Sequence, residues 1–226
     1  VEGDSYGDIN TQVGEIWVNS ASKAQGYWNL PDITAEEFNA VVIGEEATGK
    51  TYLRTGDLGF FFRGELFICG RLKDLIIIRG SNHYPQDIEK SAETVAADYL
   101  RAGCSAAFSL KSTENATIDA SDAATTETLV YVAELKPEAP QVGKTAGQSV
   151  PQMHASVAEM IRQTINKEHG LSISTLCLLE PRTVPKTTSG KITRKGAQKA
   201  LAAGTLSIVY RWDSPPGFVE TIGSGT

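Results

Sequence analysis

The sequence has few of the residues that build metal sites, disulfide frameworks and nucleic-acid surfaces. Its 226 residues include only three cysteines and three histidines, and 27 acidic side chains outnumber 21 lysines and arginines, which gives a formal charge of −6. Nucleic-acid-binding domains usually show the opposite balance, so that class is not expected. The odd number and wide spacing of the cysteines are typical of reduced core thiols, not of a disulfide framework or a zinc site.

Long apolar runs are also absent. No segment reaches the roughly 20 apolar residues that a transmembrane helix needs. No charged and then apolar leader opens the chain, so we expect a cytoplasmic protein without a membrane span. The hydrophobic fraction of 41% is enough for a packed core. The chain starts with Val1 and not with methionine, inside what reads as a folded element. We interpret it as a piece of a longer protein.

The chain divides by pattern into two unequal parts. Residues 1–70 are rich in strand-like segments, whereas residues 74–212 alternate between strand and helix patterns. Residues 71–73 join the two parts, and residues 213–226 read as a linker-like tail. We therefore expect an α+β fold of short sheets packed with helices, preceded by a β-rich fragment.

Finer patterns predict the individual elements. Runs rich in β-branched and aromatic residues predict strands, helical spacing with capping residues predicts helices, and polar runs of small residues predict loops. Strands are expected at 14–19, 58–62, 65–69, 75–78, 104–110, 128–135 and 173–179, helices from Thr34, from Pro85, over 153–165 with a stop at Gly170 and over 193–203, and loops at 111–127 and 141–150.

Residues 44–51 (GEEATGKT) match the phosphate-loop pattern letter for letter. That loop works because backbone N–H groups at the start of a helix bind phosphate. Here no helical pattern follows Thr51, and the two glutamates in the loop would repel phosphate. We therefore interpret this segment as a polar surface turn.

Two side chains near the junction of the two parts have the chemistry to bind a nucleotide. Asp57, held between Gly56 and Leu58 in a turn, can accept hydrogen bonds from two ribose hydroxyls. The alternative is an aspartate that bonds the backbone of its own turn. Arg71 can donate to phosphate or ribose oxygens, and its alternative is a surface ion pair with Asp74.

Lys191 ends a stretch of small and hydroxyl residues, residues 185–191 (PKTTSGK), just before a predicted helix. We expect a mobile loop with the lysine near its tip. From there the ammonium group can neutralise charge that builds on a phosphate during attack by a carboxylate. The alternative is a basic loop whose lysines are solvated. His83 has no second ligand spaced to join it, and no metal site is predicted.

In this order and spacing the segments resemble a known family. Residues 52–58 (YLRTGDL), 70–89 (GRLKDLIIIRGSNHYPQDIE) and 185–191 (PKTTSGK) resemble the last three core motifs of the adenylate-forming enzymes. That superfamily includes acyl-CoA synthetases, luciferases and peptide-synthetase adenylation domains. Residues 14–18 (GEIWV) with 26–28 (GYW) resemble the preceding motif, so the resemblance covers nearly the whole chain.

Within the superfamily, residues 82–89 (NHYPQDIE) and 24–28 (AQGYW) look most like the C-terminal part of fatty acyl-AMP ligases. One departure is Ser81, which stands where those ligases usually carry a basic residue. The resemblance implies that residues 74–212 form the small mobile C-terminal domain of such an enzyme. Residues 1–70 would then be the end of its large N-terminal domain.

Carried over position by position, the resemblance implies a role for each motif residue. Asp57 would bind the ribose hydroxyls, and Arg71 would contact ribose and phosphate. Lys191 would be the adenylation lysine, and Lys73 would be the hinge about which the small domain rotates. After rotation a further loop would face the thiol tunnel. Its members are Gly80, Ser81, Asn82, His83 and Tyr84.

The resemblance also implies substrates and partners. ATP and Mg²⁺ would be bound mainly by an N-terminal part whose phosphate loop, adenine pocket and acyl tunnel are not found in this sequence, so we expect this chain alone to be inactive. The partners would be a fatty acid, the rest of the adenylation domain and an acyl carrier protein bearing phosphopantetheine. Two alternatives remain open. One is an acyl-CoA ligase or peptide-synthetase adenylation domain, and the other is an idle adenylation-like binding module.

Overall fold

The computed structural model describes residues 12–112 and 126–215. The chain forms two compact units, Val1–Leu75 and Ile76–Thr226. Most of the predicted loop at 111–127 and of the predicted tail at 213–226 lies outside the described residues. Within the described ranges, no helix is both long enough and apolar enough to span a bilayer.

The first unit is built on a three-stranded antiparallel sheet in the order β1–β2–β3. A helix and two short 3-10 helices accompany the sheet. The elements are β1 Gly14–Val18, α1 Pro31–Phe38, a 3-10 helix Glu46–Thr48, β2 Leu53–Phe62, β3 Glu65–Arg71 and a 3-10 helix Leu72–Asp74.

The β2–β3 hairpin follows from its two turn residues. Arg63 and Gly64 have φ values of 51° and 80°, and a two-residue turn with both φ values positive matches the twist of the flanking strands. The hairpin was predicted and is confirmed. The expected start of α1 at Thr34 is wrong, because the helix begins at Pro31. Thr34 Oγ1 instead accepts a hydrogen bond from the Tyr27 backbone N–H at 2.9 Å.

The second unit contains a two-stranded hairpin, a four-stranded sheet and four helices among its described residues. The four strands lie in the order β6–β7–β8–β9, and their successive pairings are antiparallel, parallel and antiparallel. The elements are β4 Ile76–Ile78, β5 Ser81–His83, α2 Pro85–Val95, β6 Leu100–Ser112, β7 Thr126–Leu135, α3 Ala139–Thr145, α4 Val150–His169, β8 Ile173–Leu179, α5 Arg194–Ala202 and β9 Ile208–Asp213.

The four-stranded sheet is covered by helices on both faces, and the side chains of β7 show this by their alternation. Leu129 and Tyr131 point into a core that also contains buried residues of α2 and α4. Val130 and Val132 point to the opposite face, into a core that contains a buried residue of α5. Because both faces of β7 are buried, its central residues 129–133 (LVYVA) form a continuous apolar run. The predicted α+β class is confirmed.

Two elements of the second unit differ from the sequence prediction. The expected loop at 141–150 begins inside helix α3. Gly143 obscured this helix, since glycine is a poor helix former, but it packs so closely on Met153 that an added Cβ would lie 2.8 Å from its Cγ. Strand β9 was not predicted, although its residues alternate between half-buried and exposed. The predicted stop of α4 at Gly170 is confirmed, with φ of 64°.

Candidate active site

The first unit brings Asp57 and Arg71 together. They are opposite residues of the β2–β3 ladder, and Arg71 Nε donates a hydrogen bond to Asp57 Oδ1 at 2.9 Å. Both side chains remain accessible, at 36% exposure for Asp57 and 52% for Arg71. The carboxylate raises the pKa of the Arg71 guanidinium, by its hydrogen bond and by its charge. The result is an exposed acceptor and donor side by side, which is suited to a sugar hydroxyl and a phosphate oxygen.

The backbone at Asp57 is held by a residue that the sequence did not single out. Asp57 lies within strand β2 and not at a strand-to-hairpin turn as expected, and the bend comes from Gly56, whose φ is 69°. Glu15 on β1 accepts a hydrogen bond from the Gly56 N–H at 3.2 Å and another from Arg54 Nε at 3.0 Å. The carboxylate of Glu15 thereby fixes the bend that directs Asp57.

The pKa of Glu15 reflects this anchoring. Partial burial by itself raises the pKa of the carboxyl, but hydrogen bonds from Trp17 and Arg54, together with the charge of Arg54 and the N–H of Gly56, bring it below the ordinary value. Glu15 is therefore a charged acceptor at neutral pH. Its contacts with Arg54 and Gly56 lie about 40 positions away in the sequence, so no local pattern reveals them.

Lys73 lies in the 3-10 helix that directly follows β3. It is exposed, and the first compact unit ends two residues later, at Leu75. The hinge role of Lys73 remains a prediction.

The residues expected to face a thiol form a hairpin in the second unit. Strands β4 and β5 pair antiparallel, and the turn between them is Arg79–Gly80, with φ values of 52° and 76°. Ser81 and Asn82 are exposed, whereas His83 is half-buried. The expected loop is thus largely the second strand of a short antiparallel hairpin. Tyr84, the last member of the set, is half-buried and precedes helix α2 at its N-cap position.

His83 is affected by burial and by a neighbouring histidine. Burial lowers the pKa of the His83 imidazole, and the charge of the nearby His169 lowers it further. Across residues 12–112 and 126–215 no group of three or more His, Cys, Asp or Glu side chains could hold a metal ion. His169 forms a hydrogen bond with Ser91 Oγ at 2.9 Å.

Lys191 is exposed and lies at the closing end of a hydrogen-bonded turn, and not near the tip of the loop as expected. The Thr187 N–H donates to the Lys191 carbonyl at 2.8 Å, and the Lys191 N–H donates to Thr187 Oγ1 at 3.1 Å. Gly190, with φ of 82°, supplies the left-handed residue that the turn requires. The small and hydroxyl residues of the motif therefore shape the turn.

The chain that enters this turn is anchored by a buried acid. Glu134 on β7 is fully buried, and its Oε1 accepts the Val184 N–H at 2.7 Å. Its Oε2 pairs with the Arg101 guanidinium. Burial raises the pKa of Glu134, but the N–H groups of Val184 and Arg182 and the charge of Arg101 together lower it below the ordinary value. The carboxylate thus fixes the segment immediately before the Lys191 turn.

The described residues fit parts of a nucleotide and do not fit its metal ion. Asp57 and Arg71 offer an accessible carboxylate and guanidinium, and Lys191 offers an exposed ammonium group. The apparent phosphate loop at residues 44–51 does not add to them. Its Gly44 N–H already donates to both carboxylate oxygens of Glu46 at 3.0 Å. A 3-10 helix lies within the segment at Glu46–Thr48, and strand β2 follows where a phosphate loop needs an α-helix.

The likeness to known proteins extends over most of the chain. The chain is 39% identical over 184 residues to FadD21 of Mycobacterium tuberculosis strain H37Rv, which is named provisionally as a fatty-acid–CoA ligase. This match covers 80% of the chain and 28% of that protein. It is 38% identical over 203 residues to JamA of Moorena producens, a medium-chain-fatty-acid–[acyl-carrier-protein] ligase, which covers 90% of the chain and 30% of that protein. This chain is a homologue of the adenylate-forming enzymes.

A solved structure agrees with this relationship. A structure from a study of fatty acyl-adenylate ligases of E. coli and L. pneumophila matches with a TM-score of 0.58 and 30% identity, over 85% of this chain and 29% of that one. No family model matches the chain. The predicted resemblance to adenylate-forming enzymes is confirmed. The chain spans less than a third of the length of these curated relatives, and the roles of its individual site residues remain predictions.

Proposed function

We propose that this chain is the C-terminal portion of a fatty acyl-AMP ligase. The whole enzyme would activate a fatty acid with ATP to an acyl-adenylate and transfer the acyl group to the phosphopantetheine thiol of an acyl carrier protein. The observation that carries the proposal is the 38% identity to JamA, a ligase named for a carrier-protein acceptor, across 90% of this chain. The chain also retains Asp57, Arg71 and Lys191, the three residues whose chemistry the reaction needs.

In the first half-reaction, three side chains act on the nucleotide. The Asp57 carboxylate accepts hydrogen bonds from the ribose hydroxyls, and Arg71 donates to ribose and phosphate oxygens. The ammonium group of Lys191 neutralises charge that builds at the α-phosphate as the fatty-acid carboxylate attacks and pyrophosphate leaves. A donor used in this way typically contributes on the order of 10²–10³ in rate. Mg²⁺ belongs to the ATP substrate and would be held by the rest of the enzyme.

In the second half-reaction, the second unit turns about Lys73. This withdraws Lys191 and presents the Gly80–Tyr84 segment to the incoming thiol. The proposal is supported by the division of the chain into two compact units two residues beyond Lys73. It is also supported by the exposure of Ser81 and Asn82 on the β4–β5 hairpin.

The first unit carries a surface that suits contact with the rest of an adenylation domain. Several large apolar side chains are exposed there, among them Ile43 at 95%, Trp28, Phe61 and Ile68. Such side chains would be covered by contact with the rest of the enzyme in this proposal. We place the whole enzyme in the cytoplasm.

A rival function differs from the proposed one in the molecule that accepts the acyl group. FadD21 is named provisionally for coenzyme A, whereas JamA is named for a carrier protein. Ser81, where fatty acyl-AMP ligases usually carry a basic residue, lies on the hairpin assigned to the thiol side. An acyl-CoA ligase is therefore the second candidate function.

The test uses the intact parent protein with a fatty acid, Mg-ATP and either coenzyme A or a phosphopantetheinylated carrier protein, with products identified by mass spectrometry. We expect acyl-adenylate and acyl-carrier protein without acyl-CoA. Abundant acyl-CoA would establish the rival acceptor, and no adenylate from any acid would refute the proposal. The 226-residue chain alone should release no pyrophosphate.

A further inference from the structure

A bidentate ion pair in the second unit joins two segments that lie 105 positions apart in the sequence. Arg194 Nε donates to Glu89 Oε1 at 2.7 Å, and Arg194 Nη2 donates to Glu89 Oε2 at 2.6 Å. The pair is largely shielded from water, because the side chain of Glu89 is 13% exposed and that of Arg194 is 23% exposed. Glu89 Oε1 also accepts the Ala107 N–H of β6 at 2.9 Å. The pair is therefore hydrogen-bonded to strand β6 of the four-stranded sheet.

The two partners belong to the two segments that carry the proposed chemistry. Glu89 lies on helix α2, which starts directly after the Gly80–Tyr84 segment. Arg194 is the first residue of α5 and follows Lys191 by three positions. The ion pair thus links the helix behind the hairpin to the helix behind the lysine.

Between Arg194 and Lys191 the chain has little freedom to move. The Thr193 N–H donates to the Pro185 carbonyl at 3.0 Å, across the base of the Lys191 turn. At Gly196 an added Cβ would meet Thr193 Oγ1 at 2.2 Å and Pro185 Cβ at 3.2 Å, so α5 rests directly on this base. A shift of Arg194 is therefore transmitted to the backbone of Lys191.

We propose that Glu89 and Arg194 are positioning residues for Lys191 in adenylate formation, an inference that rests on the function proposed above. Lysine carries its charge on a flexible four-carbon stem, so its backbone must be held if the ammonium group is to meet a phosphate. A guanidinium fork bound to both carboxylate oxygens fixes the orientation of its helix more strictly than a single contact. The pair acts through Lys191 and touches no substrate itself.

The chain supplies a matched control for Glu89. Glu93 lies one turn further along α2 and lines the same surface groove of about 700 Å³ beside Lys191. Its carboxylate accepts the Gly103 N–H at 2.8 Å and the Ser105 hydroxyl at 2.6 Å, so it also binds the sheet. No described hydrogen bond or ion pair ties it to the Lys191 turn.

The experiment compares the two half-reactions in the intact parent protein. Adenylate formation is followed by pyrophosphate release from Mg-ATP and dodecanoic acid. Acyl transfer is followed separately, from supplied dodecanoyl-adenylate to the thiol acceptor that the wild-type enzyme uses. The variants are Arg194→Ala, Arg194→Lys and Glu89→Gln, with Glu93→Gln as control.

We expect Arg194→Ala and Glu89→Gln to slow adenylate formation by about ten- to a hundred-fold, as small misplacements of a catalytic group do. Acyl transfer should stay within about twofold of wild type, because Lys191 is withdrawn in that step. Arg194→Lys should restore only part of the loss, and Glu93→Gln should leave both rates near wild type. General structural damage would instead lower both rates together.

The inference is overturned if both half-reactions fall equally or if neither changes in an active enzyme. It is also overturned if Glu93→Gln has the same selective effect. Should Arg194→Ala not fold, Glu89→Gln decides, since glutamine keeps the size of the side chain and an acceptor for the Ala107 N–H. Failure of the proposed function is distinguishable, because wild-type enzyme would then make no adenylate.

Discussion

Replacing Glu134 by glutamine tests whether a buried charge holds the segment that leads to Lys191. Glu134 is fully buried and accepts from the Val184 N–H, the Arg182 N–H and the Arg101 guanidinium. Glutamine keeps the size of the side chain and one acceptor oxygen, but it turns an NH₂ group toward one of these donors. The substitution therefore removes the charge without opening a cavity.

The magnitude follows from the partners that are left behind. Breaking a buried ion pair by removing one partner costs about 3–5 kcal/mol. The side chain of Arg101 is 30% exposed and can regain water, which places the loss at or below the lower end of this range. We expect the free energy of unfolding of the second unit to fall by about 2–3 kcal/mol, since a hydrogen bond to a charged group contributes about 1.5–3 kcal/mol.

The loss should also depend on pH, with a definite sign. The pKa of Glu134 is lowered in the folded state, so its contribution is present above the pKa of the unfolded carboxyl and is lost as pH falls through the folded pKa. The difference between wild type and Glu134→Gln should therefore be constant near neutral pH. It should shrink once the pH falls below about 4.3, where glutamate in the unfolded chain begins to take up protons.

The assay is urea unfolding of the 226-residue chain between pH 3 and 8. It is read by hydrogen exchange of peptides from β7 and β8, because a signal averaged over two units would mix their transitions. Glu159→Gln is the control, since Glu159 pairs with Arg162 on α4 with its own side chain 52% exposed and should cost less than about 1 kcal/mol. Equal losses for the two variants, or a Glu134→Gln effect that is the same at every pH, would refute the reasoning.

Three further predictions follow from the same structure. Lys191→Ala in the parent enzyme should slow adenylate formation by about 10²–10³ and spare acyl transfer, and equal loss in both steps would contradict its role. Asp57→Asn should raise the KM for ATP about tenfold or more, because it removes the charged acceptor beside Arg71; an unchanged KM in steady-state kinetics would count against nucleotide binding there. Gly170→Ala should lower the free energy of unfolding, measured by thermal unfolding, by about 1–2 kcal/mol, since φ is 64° at that position. Gly14→Ala is the control and should lower it far less, because an added Cβ there meets nothing within 4 Å.

Local patterns were enough to predict most elements and the order of the motif segments. The hairpin turn at Arg63–Gly64 and the stop at Gly170 each depend on one or two residues with positive φ, and such residues can be recognised in a sequence. Helix α3 could not be recognised in this way, because Gly143 is a poor helix former and its close packing on Met153 leaves no local sign in the sequence. Tertiary contact overrides local propensity at that position.

The residues that hold the candidate site in place could not be predicted either, because their partners lie far away in the sequence. Glu15 bonds a residue 41 positions away, Glu134 bonds one 50 positions away, and Glu89 bonds one 105 positions away. A glutamate in a strand or helix pattern carries no sign of which distant amide or guanidinium it will meet. The candidate nucleotide-binding side chains could therefore be named from the sequence, whereas the groups that hold them in place could not.

The hydrogen bonds around Lys191 bear on how, in the proposed mechanism, the lysine would leave the nucleotide between half-reactions. Withdrawal by local rearrangement would break the Thr187–Lys191 contacts and the Thr193–Pro185 bond. At about 0.5–1.5 kcal/mol for each of these three bonds, that route costs roughly 1.5–4.5 kcal/mol before any strain is counted. Rotation of the whole second unit about backbone dihedrals near Lys73 breaks none of these bonds. The composition that suggested a mobile loop in fact builds a closed turn, and this favours movement of the unit over movement of the loop.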